Sequence, residues 1–167
     1  LILTYAPIIA KERLAFPLGY IPLLFLGFQL VTVGVRLSIV STLVRKLGAG
    51  TTMCLGLVEG LSMILVLSLS NSPALFAAAF VLLGFCQGIL YPTGAIAVAS
   101  IKSDGTMLAN SLYTAGFDLG VFIGPLLFLG VINLFGIEPA MASSSLVLLA
   151  SLTIVYCTFR KSRFDHA

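Results

Sequence analysis

Apolar runs of about 18 or more residues recur along the sequence, separated by short polar connections. At about 1.5 Å per residue, each run is long enough for an α-helix to cross a hydrocarbon core of roughly 30 Å. Of the 167 residues, 59% are apolar and 9% are charged, and the mean hydropathy is +1.15. A soluble domain averages about 25% charged residues. We therefore predict an all-α transmembrane helix bundle whose surroundings are the lipid bilayer.

Short polar segments divide the chain into five predicted full spans and one partial span. The first ten residues would cover about 15 Å as a helix, half a membrane, before the charged residues that begin at Lys11. Residue 1 is Leu rather than Met, so we expect this segment to be the tail of a truncated first helix. Residues 1–160 form the predicted transmembrane bundle, and residues 161–167 form a tail. The predicted spans are residues 1–10 (partial), 20–44, 51–69, 74–100, 108–134 and 140–159.

Basic residues are divided unequally between the two ends of these spans. Threading the helices alternately through a membrane places six basic residues on one side and two, Lys11 and Arg13, on the other. Cytoplasmic loops accumulate Lys and Arg, so the side with six, which holds the C-terminus, is predicted to be cytoplasmic. No basic patch of the kind that binds nucleic acid is present, so no nucleic-acid partner is expected. The six residues are Arg45, Lys46, Lys102, Arg160, Lys161 and Arg163.

The residue types that usually carry enzyme or metal chemistry are sparse. Cys54, Cys86 and Cys157 occur singly within apolar stretches, with no CxxC pair and no histidine at ligand spacing. The single histidine, His166, lies in the tail, and neither an HExxH nor a GxSxG motif occurs. We expect neither an enzyme nor a cofactor or metal, and we interpret the cysteines as small hydrophobic residues.

Glycines spaced four residues apart occur in three of the spans. This spacing places small residues on one helix face, where neighbouring backbones can approach closely. Helices that only pack and helices that slide during transport use the same kind of face, so the spacing leaves both roles open. Pro92 lies inside its span and is expected to kink it, because proline removes a helical hydrogen bond. The packing and hinge candidates are Gly56 with Gly60, Gly84 with Gly88 and Pro92, and Gly116, Gly120 and Gly124 with Pro125.

Asp118 is an ionisable residue inside a predicted span, where a charge is retained only with a partner or a purpose. It lies about 160° around the helix from the middle of the glycine stripe, and Asn110, Thr114 and Asp118 form a separate polar stripe at spacing four. This stripe could line an aqueous cavity or receive a proton. Equally, Asp118 could hydrogen-bond to a neighbouring helix and serve assembly alone.

Arg36 and Glu59 lie at similar depths in consecutive, antiparallel predicted spans. A buried pair between them would relieve two desolvation penalties with one contact. The pair could be structural, it could take part in gating or coupling, or the two residues could make no contact. In the next span Phe80, Gly84, Gln87 and Tyr91 follow helical spacing and form a mixed polar and aromatic face. That face suits either an amphipathic ligand or ordinary packing with Gln87 bonded to a backbone carbonyl.

Two stretches resemble the fourth and fifth helices of a six-helix half of the major facilitator superfamily. They are LLGFCQGILYPTGAIAVAS and ANSLYTAGFDLGVFIGPLLFLG. The first carries G-x-x-x-G-x-x-x-P, as Gly84, Gly88 and Pro92. The second carries A-x-S…D-x-G-x-x-x-G, as Ala109, Ser111, Asp118, Gly120 and Gly124.

The loop RKLG is also similar to the superfamily's short signature between helices eight and nine, with Leu43 and Gly48 retained. Ser41 replaces its glycine, Arg45 its aspartate and Lys46 its arginine, which puts the charge relay of that loop in doubt. The Arg-Gly pair usual before helix eleven is replaced by SDGTM. Charge orientation and the preceding spans indicate the C-terminal half, helices seven to twelve.

The resemblance implies a secondary transporter with a missing N-terminal six-helix half, a small-molecule substrate and alternating access. It implies that Thr4, Tyr5, Gln87 and Tyr91 face the substrate, with Asn110 and Thr114 as further cavity candidates. Asp118 is the preferred proton-coupling residue, with Glu59 and Arg36 as further candidates. We expect proton-coupled export of a small amphipathic molecule across a bacterial inner membrane. The alternatives are uptake of a metabolite, a non-transporting membrane subunit and, least supported, a membrane enzyme.

Overall fold

A computed structural model describes residues 2–99 and 106–164, and within these ranges the chain consists of helices and short connections. A 3-10 turn, Leu18–Tyr20, precedes the second helix. Leu1, residues 100–105 with Lys102, and residues 165–167 with His166 lie outside the described residues. The helices are α1 Ile2–Leu14, α2 Ile21–Ser38, α3 Val40–Leu47, α4 Ala49–Leu69, α5 Pro73–Leu82, α6 Gly84–Ala99, α7 Thr106–Phe135 and α8 Ile137–Phe164.

Four helical stretches of the described chain are long and apolar enough to cross a membrane. They are Ile21–Ser38, Ala49–Leu69, Pro73–Ala99 and Met107–Phe135. The predicted all-α transmembrane class is confirmed. The fifth predicted full span corresponds to α8, whose apolar part, Ser143–Phe159, falls just below the length of the others. The predicted partial span corresponds to α1, which extends beyond Lys11 to Leu14.

Two of the predicted spans are interrupted by a single residue. Ile39, with φ −107° and ψ −42°, separates α2 from α3, so the predicted span 20–44 is two helices. Leu83, with φ −56° and ψ −18°, separates α5 from α6. The helix α6 runs without interruption through Pro92, so the break in this span lies before Pro92, and a hinge at that proline stays a prediction.

Helix α6 lies between α2 and α4 and packs closely on both. A Cβ atom placed on Gly84 would lie 2.5 Å from the carbonyl oxygen of Phe28 in α2. On α4, a Cβ placed on Gly56 would lie 3.0 Å from the side chain of Ile89. Only glycine allows these approaches without a shift of the neighbouring helix. The order of these contacts makes α6 parallel to α2, whereas Gly60 lies beside Cys86, so that α6 is antiparallel to α4.

An aromatic cluster fills the contact between α2 and α5. The ring of Phe80 lies 5.2 Å from that of Phe25 and 5.6 Å from that of Phe28, centroid to centroid. Phe76 stacks on the other side of Phe80 at 6.5 Å. Phe28, Phe76 and Phe80 are each 1% exposed, so this cluster forms part of the buried core of the described bundle.

Helix α7 is the least covered of the long helices. A Cβ placed on Gly116, Gly120 or Gly124 would meet no atom of the described chain within 4 Å. On the same helix Phe122 is 70% exposed and Leu127 is 69% exposed. The glycine stripe therefore has no packing partner among the described residues, and close packing against another segment stays a prediction.

Candidate functional site

A cavity of about 380 Å³ lies between the helices of the bundle, within the range of sizes that suits small-molecule sites. Its lining comes from α1, α2, α4, α6, α7 and α8, together with the connecting residue Leu83. Helix α6 contributes the largest share, with residues at positions i, i+1, i+4 and i+5 of one face. The lining residues are Leu3, Phe28, Ile64, Leu83, Cys86, Gln87, Leu90, Tyr91, Phe117, Ser144, Val147 and Leu148.

The cavity wall is mostly apolar, and Gln87 and Tyr91 are two of its few polar members. Both were predicted from the sequence as cavity residues, and the structure places both in the lining. The predicted face at helical spacing also carries Gly84, but that residue is buried against α2 and Phe80 belongs to the aromatic cluster. On this face, therefore, Phe80 and Gly84 pack against neighbouring residues, and Gln87 and Tyr91 line the cavity.

Tyr91 connects three helices at one end of the cavity. Its ring lies edge-on to Phe117 of α7, with centroids 5.2 Å apart, and 6.2 Å from the ring of Tyr113. The hydroxyl of Tyr113 donates a hydrogen bond of 3.0 Å to the carbonyl oxygen of Tyr91. The guanidinium carbon of Arg36, on α2, lies 5.2 Å from the centroid of the Tyr91 ring. These contacts fix the position of the Tyr91 ring in the wall.

Arg36 and Glu59 do not form the buried pair that the sequence allowed. The guanidinium lies over Tyr91, and the Oε2 atom of the half-buried Glu59 is buried without a hydrogen-bond partner. The physical reason is that α6 lies between α2 and α4. Consecutive helices were expected to be neighbours, and here a later helix separates them.

Asp118 and the other members of its polar stripe lie outside the cavity lining. Asp118 is exposed and makes no hydrogen bond or ion pair with any residue that the structure describes. Thr114 donates a hydrogen bond of 3.0 Å to the carbonyl oxygen of Asn110, one turn earlier in the same helix. Asp118 follows Phe117, which lines the cavity, so the stripe flanks the cavity and does not enter it. The polar stripe and the glycine stripe were predicted to occupy different faces of α7. Asp118 and Gly120 are both exposed, so no contact with another helix distinguishes the two faces.

The two predicted substrate-facing residues of α1 do not line this cavity. Thr4 is exposed. The Tyr5 hydroxyl donates a hydrogen bond of 3.0 Å to the carbonyl oxygen of Pro125 in α7, and its ring lies 6.0 Å from that of Phe128. Leu3 supplies the lining from α1 instead. Tyr5 therefore joins α1 to α7, a role that spacing within one helix cannot reveal.

The contribution of α8 to the wall was missed by sequence reasoning. Ser144, Val147 and Leu148 all line the cavity. Ser144 and Ser145 belong to a run of three serines at 143–145 that opens the apolar part of α8, Ser143–Phe159, and that run was the available signal. In the described ranges no three His, Cys, Asp or Glu side chains come close enough together to hold a metal ion.

A bundle of membrane-length helices around an apolar cavity with a few polar groups defines a polytopic membrane protein. The family model described as Major Facilitator Superfamily matches residues 1–167, and the chain therefore belongs to that superfamily. Neither a curated protein sequence nor a solved structure matches the chain. Members of the superfamily are secondary transporters, and the apolar helices agree with an integral membrane protein of this kind.

Proposed function

We propose that the chain is the C-terminal six-helix half of a proton-coupled exporter of small amphipathic molecules. The observation that carries the proposal is the cavity of about 380 Å³, whose apolar wall includes the Gln87 amide and the Tyr91 ring. An apolar wall with a few polar groups suits a molecule that is itself part apolar and part polar. In a transporter of two halves, such a cavity opens alternately to each side of the membrane.

The exposed surface of α7 supports the proposal that a second six-helix half packs against this chain. Asp118 lies near the middle of a 30-residue helix, and a charge at that depth facing lipid is costly. The unpartnered glycines Gly116, Gly120 and Gly124 lie on the same helix. An N-terminal half packed on the face of α7 that carries Asp118 would give this carboxylate an aqueous or polar surrounding, and the glycine stripe on the opposite face would remain open to another segment.

Asp118 is the residue we assign to proton coupling. Its carboxylate takes up a proton in one conformation of the transporter and releases it on the other side of the membrane in the next. The side chain is unpartnered within the described chain and flanks the cavity through Phe117. Glu59 of α4 is the second candidate, because it lies beside Cys86, which lines the cavity. Arg36 is a third candidate, and its contact with Tyr91 connects it to the same wall.

The test uses the full-length protein in liposomes with an imposed pH gradient. Vesicles are offered a panel of labelled amphipathic acids, neutral compounds and amines of matched size. We expect the wild type to accumulate at least one compound against its gradient. Asp118→Asn should abolish uphill accumulation and retain downhill exchange of the same compound, because the amide cannot carry a proton, whereas Asp118→Glu should retain both.

Glu59→Gln is the matched control, since it removes the other carboxylate from the spans. Loss of uphill transport in Glu59→Gln with full retention in Asp118→Asn would move the coupling role to Glu59. Absence of transport for every compound, or a reading frame without a second helical half, would contradict the proposed function.

A further inference from the structure

Arg36 is a cation within a membrane-spanning segment and has no carboxylate partner in the part of the chain that the structure describes. It lies in α2, more than two helical turns before the basic residues that end α3. Helix α6 separates Glu59 from Arg36. No ion pair or hydrogen bond joins Arg36 to Asp118 or to any other described residue. A charge at this position needs a counter-charge or a function.

The Tyr91 ring holds the guanidinium beside the cavity without neutralising it. The 5.2 Å contact between the guanidinium carbon and the ring centroid is within the range of a cation–π interaction. Tyr91 is itself part of the cavity wall. Because the Arg36 side chain is exposed and makes no hydrogen bond to a described residue, it can turn toward the Tyr91 end of the cavity.

The residues that line the cavity carry no formal charge. No aspartate or glutamate belongs to the cavity lining. The polar groups of the lining include the Gln87 amide and the hydroxyls of Tyr91 and Ser144. The face of the Tyr91 ring near Arg36 is already occupied by a positive charge. An anion placed at this end meets the guanidinium, while the apolar remainder of the wall accepts a hydrocarbon body.

We propose that Arg36 and the cavity together select small amphipathic organic anions. The carboxylate of the ligand would bind beside Arg36 at the Tyr91 end, and its apolar body would lie along Phe28, Ile64, Leu90 and Leu148. This inference rests on the proposed function and names its substrate class. It is separate from proton coupling, because Asp118 lies outside the cavity lining.

The test measures thermal stabilisation of the full-length protein in nanodiscs by three ligands with one hydrocarbon body. Phenylbutyrate carries a carboxylate, phenylbutyramide is neutral and phenylbutylamine is a cation; acetate supplies the charge without the apolar body. A ligand that binds the folded state raises the unfolding midpoint with its concentration. We expect phenylbutyrate to raise it most and acetate to have no effect. Arg36→Gln should reduce the phenylbutyrate shift to that of phenylbutyramide, and Arg36→Lys should retain part of it.

Arg45→Gln, at an exposed site at the end of α3, is the matched control and should leave all three shifts unchanged. The proposal is overturned if phenylbutylamine or phenylbutyramide stabilises as strongly as phenylbutyrate, if no ligand of the panel shifts the midpoint, or if the carboxylate advantage survives Arg36→Gln. A further outcome would also overturn the proposal. If phosphatidylglycerol stabilises the protein only when Arg36 is present, and the phenylbutyrate shift is unchanged in Arg36→Gln, the arginine binds a lipid headgroup.

The transport assay in liposomes distinguishes this failure from failure of the proposed function. Uphill transport of amines or neutral compounds without Arg36-dependent carboxylate binding would refute only the anion selectivity. Arg36-dependent carboxylate binding by a protein that transports nothing would refute only the transporter assignment.

Discussion

At the residue scale, Thr32 shows how a single hydroxyl joins two helices of this bundle. Its Oγ1 donates a hydrogen bond of 2.9 Å to the carbonyl oxygen of Phe28 and lies 3.2 Å from that of Gly84 in α6. The side chain is 2% exposed. Thr93 is a natural comparison, because it is equally buried and its hydroxyl bonds only to Ile89, one turn earlier in its own helix.

We expect Thr32→Val to lower the free energy of unfolding by about 1 kcal/mol, since interhelical hydrogen bonds in membrane proteins contribute of that order. The shape of the side chain is nearly unchanged, so the loss reports on the hydroxyl. Thr93→Val removes a bond that stays within one helix, and its cost should be smaller, at most about 0.5 kcal/mol. Reversible unfolding of the full-length protein in mixed micelles measures both. Equal costs would show that the contact with Gly84 contributes nothing.

At the element scale, α6 owes its central position to close glycine contacts on two opposite faces, with the glycines on α6 at one interface and on α4 at the other. Gly84 and Gly88 meet the backbone of α2, and on the other face Cys86 and Ile89 meet the glycines of α4. Helices approach this closely in lipid because small residues allow wide backbone contact, which replaces the hydrophobic driving force that operates in water. The same two interfaces direct Gln87 and Tyr91 toward the cavity.

Gly84→Ala is therefore expected to destabilise the bundle by about 1–3 kcal/mol, the usual cost of overpacking. The added methyl group would lie 2.5 Å from the backbone oxygen of Phe28, and a backbone atom cannot move aside as a flexible side chain can. Gly130→Ala in α7 is the matched control, because a Cβ there meets no described atom within 4 Å. Alanine is the better helix former, so the control should be neutral or slightly stabilising. The same unfolding assay applies, and a neutral Gly84→Ala would contradict the close contact between α2 and α6.

At the scale of the whole molecule, the helices alternate in direction, so that the ends of α3 and α8 lie on one side. A Cβ placed on Gly50, at the start of α4, would overlap the ring of Phe159 near the end of α8. The helices that meet at this level carry Arg45 and Lys46 on α3 and, beyond Phe159, further basic residues of α8. The packing thus brings the basic ends of α3 and α8 to the same end of the bundle.

We predict that this basic end is cytoplasmic, because loops rich in Lys and Arg are retained there. Alkaline phosphatase is active only after export from the bacterial cytoplasm. Fused to the full-length protein after Ala167 it should be inactive, whereas a fusion after Asn71, in the connection between α4 and α5, should be active. The two fusions control for each other's expression. The reverse pattern of activity would invert the proposed orientation.

The fold class followed from the sequence because the bilayer imposes it. A segment that crosses a hydrocarbon core must be apolar for about 20 residues and must satisfy its backbone hydrogen bonds internally, and both demands are visible in one dimension. Gln87 and Tyr91 were identifiable as cavity residues for a related reason, since a polar and aromatic face at helical spacing is a property of one helix.

What the sequence alone could not determine is which helices are neighbours. Arg36 and Glu59 belong to consecutive spans at similar depth, yet α6 separates them, and Arg36 lies over Tyr91 instead. Tyr5, predicted to face substrate, bonds to Pro125 of α7. Periodicity gives each helix its apolar, polar and small-residue faces, but the pairing of those faces depends on three-dimensional fit between segments far apart in the chain. Only the tertiary structure supplies that pairing, and among the three alternatives for Arg36 and Glu59 it selects the one without contact, with Arg36 as an uncompensated cation beside the cavity.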